Sequence, residues 1–555
     1  MARYNVVGSY GGADGGAIFI RGQGSSRPGA ELSVLMDGIP RFVGVWTHPL
    51  LDLVNPSMAQ QLEVHRNPEP VLLGNMAFAA VNLKPKEATA GQGQTRFVGA
   101  AGRWSTGVGL VEHGGRVAGL SYFVQAERRR SEGHRNNAAG EVDHAFLHLK
   151  QSLGTSWQLR LLADVSEGWA EDPGPVGGPP RGVVPRFLVK DTFGVATLEH
   201  SHGPLEGSLK VYLQNGDIHW RQWDGSRRQA FVTFTDFVSR GVRWQERWRG
   251  PQGLSVAFGV DYDQYGGATQ ERRPTNTFTF SRTLLTNTSA YVLVGTRWGE
   301  KVQVEPSAGL RLLDSRQFGG EWGGQAGVVV SFGASRLYLR ASRGFNLPGL
   351  YTAVFFRRWN QPRSFEELEP ERMEHWEGGY QWRRDAFSLT LSLFDEKVSH
   401  ALRFRAIPPP PIFVNVGSYR VRGGELFLQW QPLPQWALTG AYSIMDPEPE
   451  TVPNAPKWSG ALGVTWTPTD WLRFSADGLR MARRMVLNPR YSSSGPWVPA
   501  FTTLNGMVAL RLYSSAGRSW ELFLSGENVT GERFYYQPNY PGPSRQWMGG
   551  ISARF

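Results

Sequence analysis

Cysteine is absent from the 555 residues, which excludes disulfides, Cys-ligated zinc and thiol chemistry. No run approaches the roughly 18 consecutive apolar residues that a transmembrane helix needs, so a helical membrane protein is excluded. A membrane β-barrel survives that test, because its strands alternate and keep mean hydropathy low. No GxSxG, HExxH, P-loop or dinucleotide fingerprint occurs, and neither a catalytic residue nor a cofactor is expected. No basic helix, zinc-finger spacing or RNP-type pattern accompanies the positive charge, which argues against nucleic acid. Residues 1–17 lack a basic stretch followed by an apolar one, so a secretory signal, if the chain is exported, is expected upstream.

What is present is β-rich. Hydrophobic residues make up 40% of the chain, with 67 Gly, 21 Trp and 30 Phe, a composition that is neither disordered nor low-complexity. The net charge of +11 suits a solvated basic surface, an anionic ligand or anionic lipid.

The chain divides near residue 90. Residues 18–84 read as a small Gly-rich α/β unit. Strands are expected at Ile18–Ile20, Leu32–Met36, Gln61–His65 and Ala79–Leu83, with a tight turn at Asp37-Gly38 and a short helix within 50–60 interrupted at Asn55-Pro56. Residues 85–95 are linker-like. From Arg96 onward strict alternation recurs with no helical interval: Leu209, Val211 and Leu213 oppose Lys210, Tyr212 and Gln214, and Leu337, Leu339 and Ala341 oppose Arg336, Tyr338 and Arg340. Period 2 puts each set on one face of a sheet. Some 465 residues at roughly 21 per strand and connection give about 22 strands of membrane-spanning length. Turn-rich stretches at 166–186, 215–229, 264–276, 355–368, 404–412 and 482–500 are candidates for the longer connections. The last strand, Trp547 to Phe555, ends on an aromatic, a candidate barrel-assembly signal.

Five segments, in order, resemble the TonB-dependent outer-membrane receptor family. IFIRGQGSSRPGAELSVLMDGIPR and LEVHRNPEPVLLGNMAFAAVNLKPK are similar to two stretches of that family's plug, with Asn67 where Gly is usual. ASRGFNLPGLY with LEPERMEHWEGGYQW, then VNVGSYRVRGGELFLQW, and finally ENVTGERFYYQPNYPGPSRQWMGGISARF resemble successive barrel segments. The resemblance implies an all-β transmembrane barrel of about 22 antiparallel strands (91–555) with an α/β plug (1–90) in its lumen. It implies a bacterial outer-membrane location, contact with lipid and lipopolysaccharide, and uptake of a small metal chelate energised by the TonB complex. In that family a signal and a TonB-contacting box precede the plug, and neither is visible in residues 1–17. The alternative is a passive porin or adhesin with a vestigial plug; further behind stands a soluble β-rich binding protein.

The resemblance also implies that plug arginines Arg21 and Arg66 face barrel glutamates Glu377 and Glu425. Guanidinium groups suit this role, since they bridge buried carboxylates bidentately. Ligand contacts are expected from Trp220, Arg221, Trp223, Arg227, Arg228, Arg357, Arg358 and Trp359, where aromatic plates and cations suit a bulky anionic or aromatic chelate. Girdle aromatics with lipopolysaccharide-facing arginines explain the same residues. His200 and His202 share a strand face without a third ligand, so no metal site is expected there. Glu369 and Glu371 flank Pro370 and are not read as a catalytic pair.

Overall fold

The computed structural model describes residues 18–23, 32–46, 55–74, 78–88, 93–174, 176, 184–223, 230–405, 412–486, 496–515 and 517–555. Twenty-two antiparallel strands, from Gln94–Gly102 to Gln546–Arg554, close into a barrel. The last strand pairs with the first, Ile551 opposite Gly99, and Phe555 exchanges backbone hydrogen bonds of 2.8 and 3.0 Å with Thr95.

The two faces of these strands are inverted relative to a water-soluble sandwich. Leu209, Val211 and Leu213 are 40%, 49% and 47% exposed, whereas Tyr212 and Gln214 on the other face are buried. Leu391 and Leu393 point outward while Ser392, Phe394 and Glu396 are buried. An apolar exterior around a polar interior is the arrangement that a bilayer demands of a barrel. Exposed Trp157, Trp298, Trp376, Trp430, Trp471 and Trp520 supply amphipathic rings suited to its interfaces.

The polar interior is occupied. A four-stranded sheet, ordered Ile39–Pro40, Leu32–Met36, Ala79–Pro85, Ala59–His65, stands in the lumen. Leu32–Met36 runs parallel to its neighbour Ala79–Leu83 and is buried on both faces, which is why it reads as a continuous apolar run. Leu32, Val34, Met36, Val81 and Leu83 pack directly on Phe123, Phe146, Leu162, Phe193 and Tyr212 of the barrel wall. So small a unit cannot fill a core alone, and the barrel completes it.

Connections alternate between short turns, such as 118–119, 203–204 and 385–386, on the side where Thr95 meets Phe555, and longer ones on the opposite side. The strand expected at Ile18–Ile20 is instead broken into bridge positions at Ile18 and Ile20, the latter paired with Gln23, because Arg21 and Gly22 both turn with positive φ (51° and 84°). Of the helix expected within 50–60, the described part holds one 3-10 turn, Pro56–Met58, capped by Asn55; residues 50–54 lie outside the described set. Pro70–Leu73 forms a helical turn that alternation did not signal. The stretches 215–229 and 264–276 are strand as far as Trp223 and Arg272, and residues 224–229 lie outside the described set; a bulge interrupts the second between Gly267 and Thr269. The helix-free expectation also fails, for Leu350–Arg358 is an α-helix in the longest described connection.

Candidate functional site

The plug meets the barrel through buried charge. Arg21, aimed outward by its left-handed turn, bonds Glu377 (2.7 Å), Glu396 (3.1 Å) and both oxygens of Glu425 (2.9 and 3.1 Å). Its guanidinium lies 3.8 Å from the centroid of the Phe394 ring. Burial weakens the Arg21 charge, but the Glu425 hydrogen bond and the fields of Glu396, Glu425 and Glu377 reverse this and raise its pKa. Arg66 reaches the same Glu425 from the side, 36% exposed. All four residues expected from the sequence therefore converge, on three neighbouring strands. Glu396 was missed. Its signal was alternation, two residues past the inward-facing Phe394.

A second cluster lies elsewhere on the wall. Arg41, which ends the MDGIPR motif, is 1% exposed and bonds Asp164 and Asp191. Gln214 donates to Asp191 (2.9 Å), His144 sits on Asp164, and Arg41 lies 4.9 Å from the Phe193 ring centroid. Asp164 and Asp191 belong to the fifth and sixth barrel strands, counted from Gln94–Gly102; Glu377, Glu396 and Glu425 belong to the fourteenth to sixteenth. Strands seven to thirteen lie between the two sets of carboxylates one way round the barrel, and strands seventeen to twenty-two with one to four the other way, so the plug is gripped from opposite walls.

On the same wall as the Arg41 cluster, the Asp37-Gly38 turn, with φ of 50° and 80°, does more than reverse the chain. Arg160 (2.5 Å) and Lys210 (2.7 Å) donate to the Asp37 carboxylate, and Arg243 to the Gly38 carbonyl (2.8 Å). Burial pushes the Asp37 pKa up, but Lys210 and Arg160 outweigh it and hold the carboxyl below its ordinary range. Arg311 donates to the Val71 carbonyl (2.8 Å) and Arg340 to Glu69 (3.0 Å). Sequence reasoning singled out none of these barrel partners, because a lone inward cation on a strand has no spacing signature.

On the side of the longer connections, Phe42, Val43 and Val45 at the plug tip join Phe187, Val189, Ile218, Phe237, Tyr265 and Phe280 in one apolar cluster. Gly44 is obligatory here: a Cβ would come within 2.5 Å of the Gly266 carbonyl oxygen, at the bulge. Leu350, Ala353 and Val354 of the helix complete the cluster from above, and Trp46 donates to Thr235 (3.0 Å).

The expected ligand contacts divide. Trp220 packs against this cluster, 6.4 Å edge-on to Phe187. Arg221 lies on the other face of the same strand, exposed. Arg357 lies over Phe280 and Arg358 is paired with Glu271, while Trp359 is 41% exposed beside it. The side chain of Trp223 and residues Arg227 and Arg228 lie outside the described set. His200 faces Glu246 (3.0 Å) and its ring lies 5.0 Å from that of Trp157. Glu371 is buried and accepts from Asn346 (2.8 Å) and the Leu402 amide (2.7 Å).

A closed 22-stranded barrel, apolar outside and stoppered by an inward-docked α/β unit, defines a plugged outer-membrane receptor. Residues 2–81 match the TonB-dependent receptor plug domain, and residues 82–529 match the TonB-dependent receptor-like β-barrel. The chain belongs to the TonB-dependent receptor family, whose members are outer-membrane proteins of Gram-negative bacteria that couple transport of small ligands to TonB. It is 22% identical to the vitamin B12 transporter BtuB of Vibrio vulnificus (strain YJ016), over 97% of this chain and 86% of that one. Among solved structures, it superposes on the copper transporter OprC with a TM-score of 0.81 at 14% identity, covering 98% of this chain and 93% of the other. The unliganded ferric citrate transporter FecA gives 0.81 at 17%, covering 100% and 92%. The FrpB iron transporter of Neisseria meningitidis (F3-3 variant) gives 0.80 at 12%, covering 99% and 94%. At these identities the likeness is one of fold.

Proposed function

We propose that this receptor imports a bulky metal chelate, anionic or aromatic, of the ferric-siderophore or cobalamin kind. The observation that carries this reading is a lumen filled by a plug that, beside its apolar packing, is fixed by buried ion pairs on opposite walls. Such ion pairs contribute little net stability while fixing position. They suit a stopper that must seat in one place and still come out.

In this reading Arg21 and Arg66, on Glu377, Glu396 and Glu425, form the plug–barrel lock, and force from TonB releases it. The reading assigns the chain no chemical step. Lipid and lipopolysaccharide cover the apolar wall with its exposed tryptophans, and Phe555, at the closing seam, serves barrel assembly. The names of the relatives are consistent with this cargo class without choosing within it, since they span cobalamin, ferric citrate and copper.

The test is metal accumulation in a host stripped of its own receptors and expressing this chain. Ferric citrate, a ferric catecholate and cyanocobalamin are each supplied, and cell-associated metal is measured by mass spectrometry. The expected result is accumulation from one chelate, lost when TonB is deleted. Entry of all three together with small unrelated solutes points instead to a passive pore.

A further inference from the structure

The loop-side mouth contains an anion site that is already filled, and the carboxylate filling it belongs to the protein. Glu271, near the upper end of strand Ser255–Arg272, is 6% exposed. Its Oε1 accepts from Arg358 Nη2 (2.7 Å) and from Arg273 Nε (2.5 Å), and its Oε2 is bonded by Arg358 Nη1. Two guanidinium groups thus share one carboxylate, an arrangement with net positive charge and with the planar fork that binds carboxylate or phosphate bidentately. Trp359 lies 5.5 Å from the Arg358 guanidinium, and the neighbouring Arg357 covers Phe280. Burial and the adjacent Arg273 hold the Arg358 pKa below the usual arginine value, although Glu271 raises it.

What Arg358 is attached to gives the pairing its consequence. It is the last residue of helix Leu350–Arg358. Through Leu350, Ala353 and Val354, at most 4% exposed, that helix lies on Val43 and Val45 of the plug tip, themselves fully buried. Its other side, Tyr351 and Phe356, packs on Leu402 and Phe413 of the hairpin Ala401–Arg405/Ile412–Val416. The plug tip is therefore sealed from the loop side by a helix whose C-terminal end is pinned by one ion pair.

We propose that Glu271 is a resident stand-in for the ligand's anionic group. An anionic ligand takes Arg358 and Arg273 from Glu271, unpins the helix and uncovers the plug tip. The proposal rests on the importer reading and deepens it: the ligand presents a carboxylate, phosphate or similar oxyanion to this pair. The Glu271 carboxylate stays tethered beside the site, so a ligand must out-compete it for both guanidinium groups, which favours ligands of higher charge. A tethered competitor acts at an effective concentration on the order of millimolar, which sets a threshold against stray monovalent anions.

The test uses the purified full chain in detergent, with citrate titrated by calorimetry at ionic strength matched with sodium chloride. Glu271→Gln removes the competitor, so citrate is expected to bind several-fold tighter than to the unaltered protein. Arg358→Gln removes the receptor group, so binding is expected to weaken several-fold. Arg358→Lys keeps the charge without the fork and is expected to fall between. Hydrogen exchange of the 350–358 amides provides the second readout. Citrate is expected to speed it in the unaltered protein and to leave it unchanged in Arg358→Gln. A latch that is only structural responds identically to loss of either partner. Equal affinities, shifts of the same sign in Glu271→Gln and Arg358→Gln, or no citrate binding to any form overturns the proposal. Energised uptake in cells is untouched by that outcome, so failure here and failure of the importer reading are distinguishable.

Discussion

Replacing Arg41 tests whether the plug is held from two walls or from one. Arg41→Met keeps much of the side-chain volume and removes the charge, leaving Asp164 and Asp191, 0% and 2% exposed, without their guanidinium. Removing one partner of a buried ion pair costs about 3–5 kcal/mol. Loss of the contact with Phe193 adds about 0.5–2 kcal/mol. The aspartates can take up protons and His144 remains on Asp164, so the lower end, about 3 kcal/mol, is the better figure. At tenfold for each 1.4 kcal/mol, that is roughly a 100-fold rise in the fraction of barrels with the plug displaced. Arg66 provides the scale, because its pair with Glu425 is 36% exposed on the arginine side. Such a pair contributes about 1 kcal/mol or less, and Arg66→Gln should change the open fraction by about fivefold or less. Conductance across planar bilayers, with mild urea to bring plug release into range, reads both. Adding Asp164→Asn with Asp191→Asn to Arg41→Met removes the uncompensated charges and should return most of the quiet baseline. If Arg41→Met leaks no more than Arg66→Gln, or the added asparagines fail to quieten it, the second anchor is wrong.

Three further outcomes follow from the same contacts. Gly44→Val drives a side chain into the Gly266 carbonyl, 2.5 Å from where its Cβ would sit, and should unseat the plug tip, seen as faster proteolysis there with the barrel's heat-modifiable migration preserved. His65 donates to Glu69 (3.2 Å), and that hydrogen bond raises its pKa against the opposing effect of burial. A raised histidine contributes stability that is complete below its ordinary value of about 6.5 and is lost as pH climbs through the raised one; the urea midpoint for plug release should fall between pH 6 and pH 8, and His65→Gln should abolish that drop. Phe555, which pairs with Thr95 and packs edge-on to Phe97 at 6.2 Å, closes the seam, so Phe555→Ala should lower the folded barrel in the outer membrane several-fold, with equal amounts counting against an assembly role.

The barrel was legible because a bilayer imposes period 2 on every strand, and Leu337 and Leu339, 46% and 53% exposed, show the rule acting on residues that alternation alone had assigned. Arg21, Arg66, Glu377 and Glu425 were placed by motif resemblance and converge in space, although more than 300 residues separate the arginines from the glutamates. Arg41 with Asp164 and Asp191 escaped notice because each aspartate sits singly in an unremarkable strand and Arg41 just past one, and only barrel closure brings them together. The helix at Leu350–Arg358 was hidden for a different reason. LYTAVFFRR is nine residues long and apolar on nearly every side, since plug, wall and hairpin all cover it, and a helix buried all round carries no periodic signal. Arg358 was chosen as a free ligand contact, and its pairing with Glu271 turned that reading into one of competition.

On the importer reading, this plug is a seated stopper moved by energy, and opening is not spontaneous. The most direct measurement is the rate of cargo accumulation in expressing cells before and after a protonophore collapses the inner-membrane gradient. Accumulation of the chelate should stop within minutes, while binding of the same chelate to the cell surface persists. Uptake continuing at an undiminished rate would contradict the account and leave a passive pore in its place.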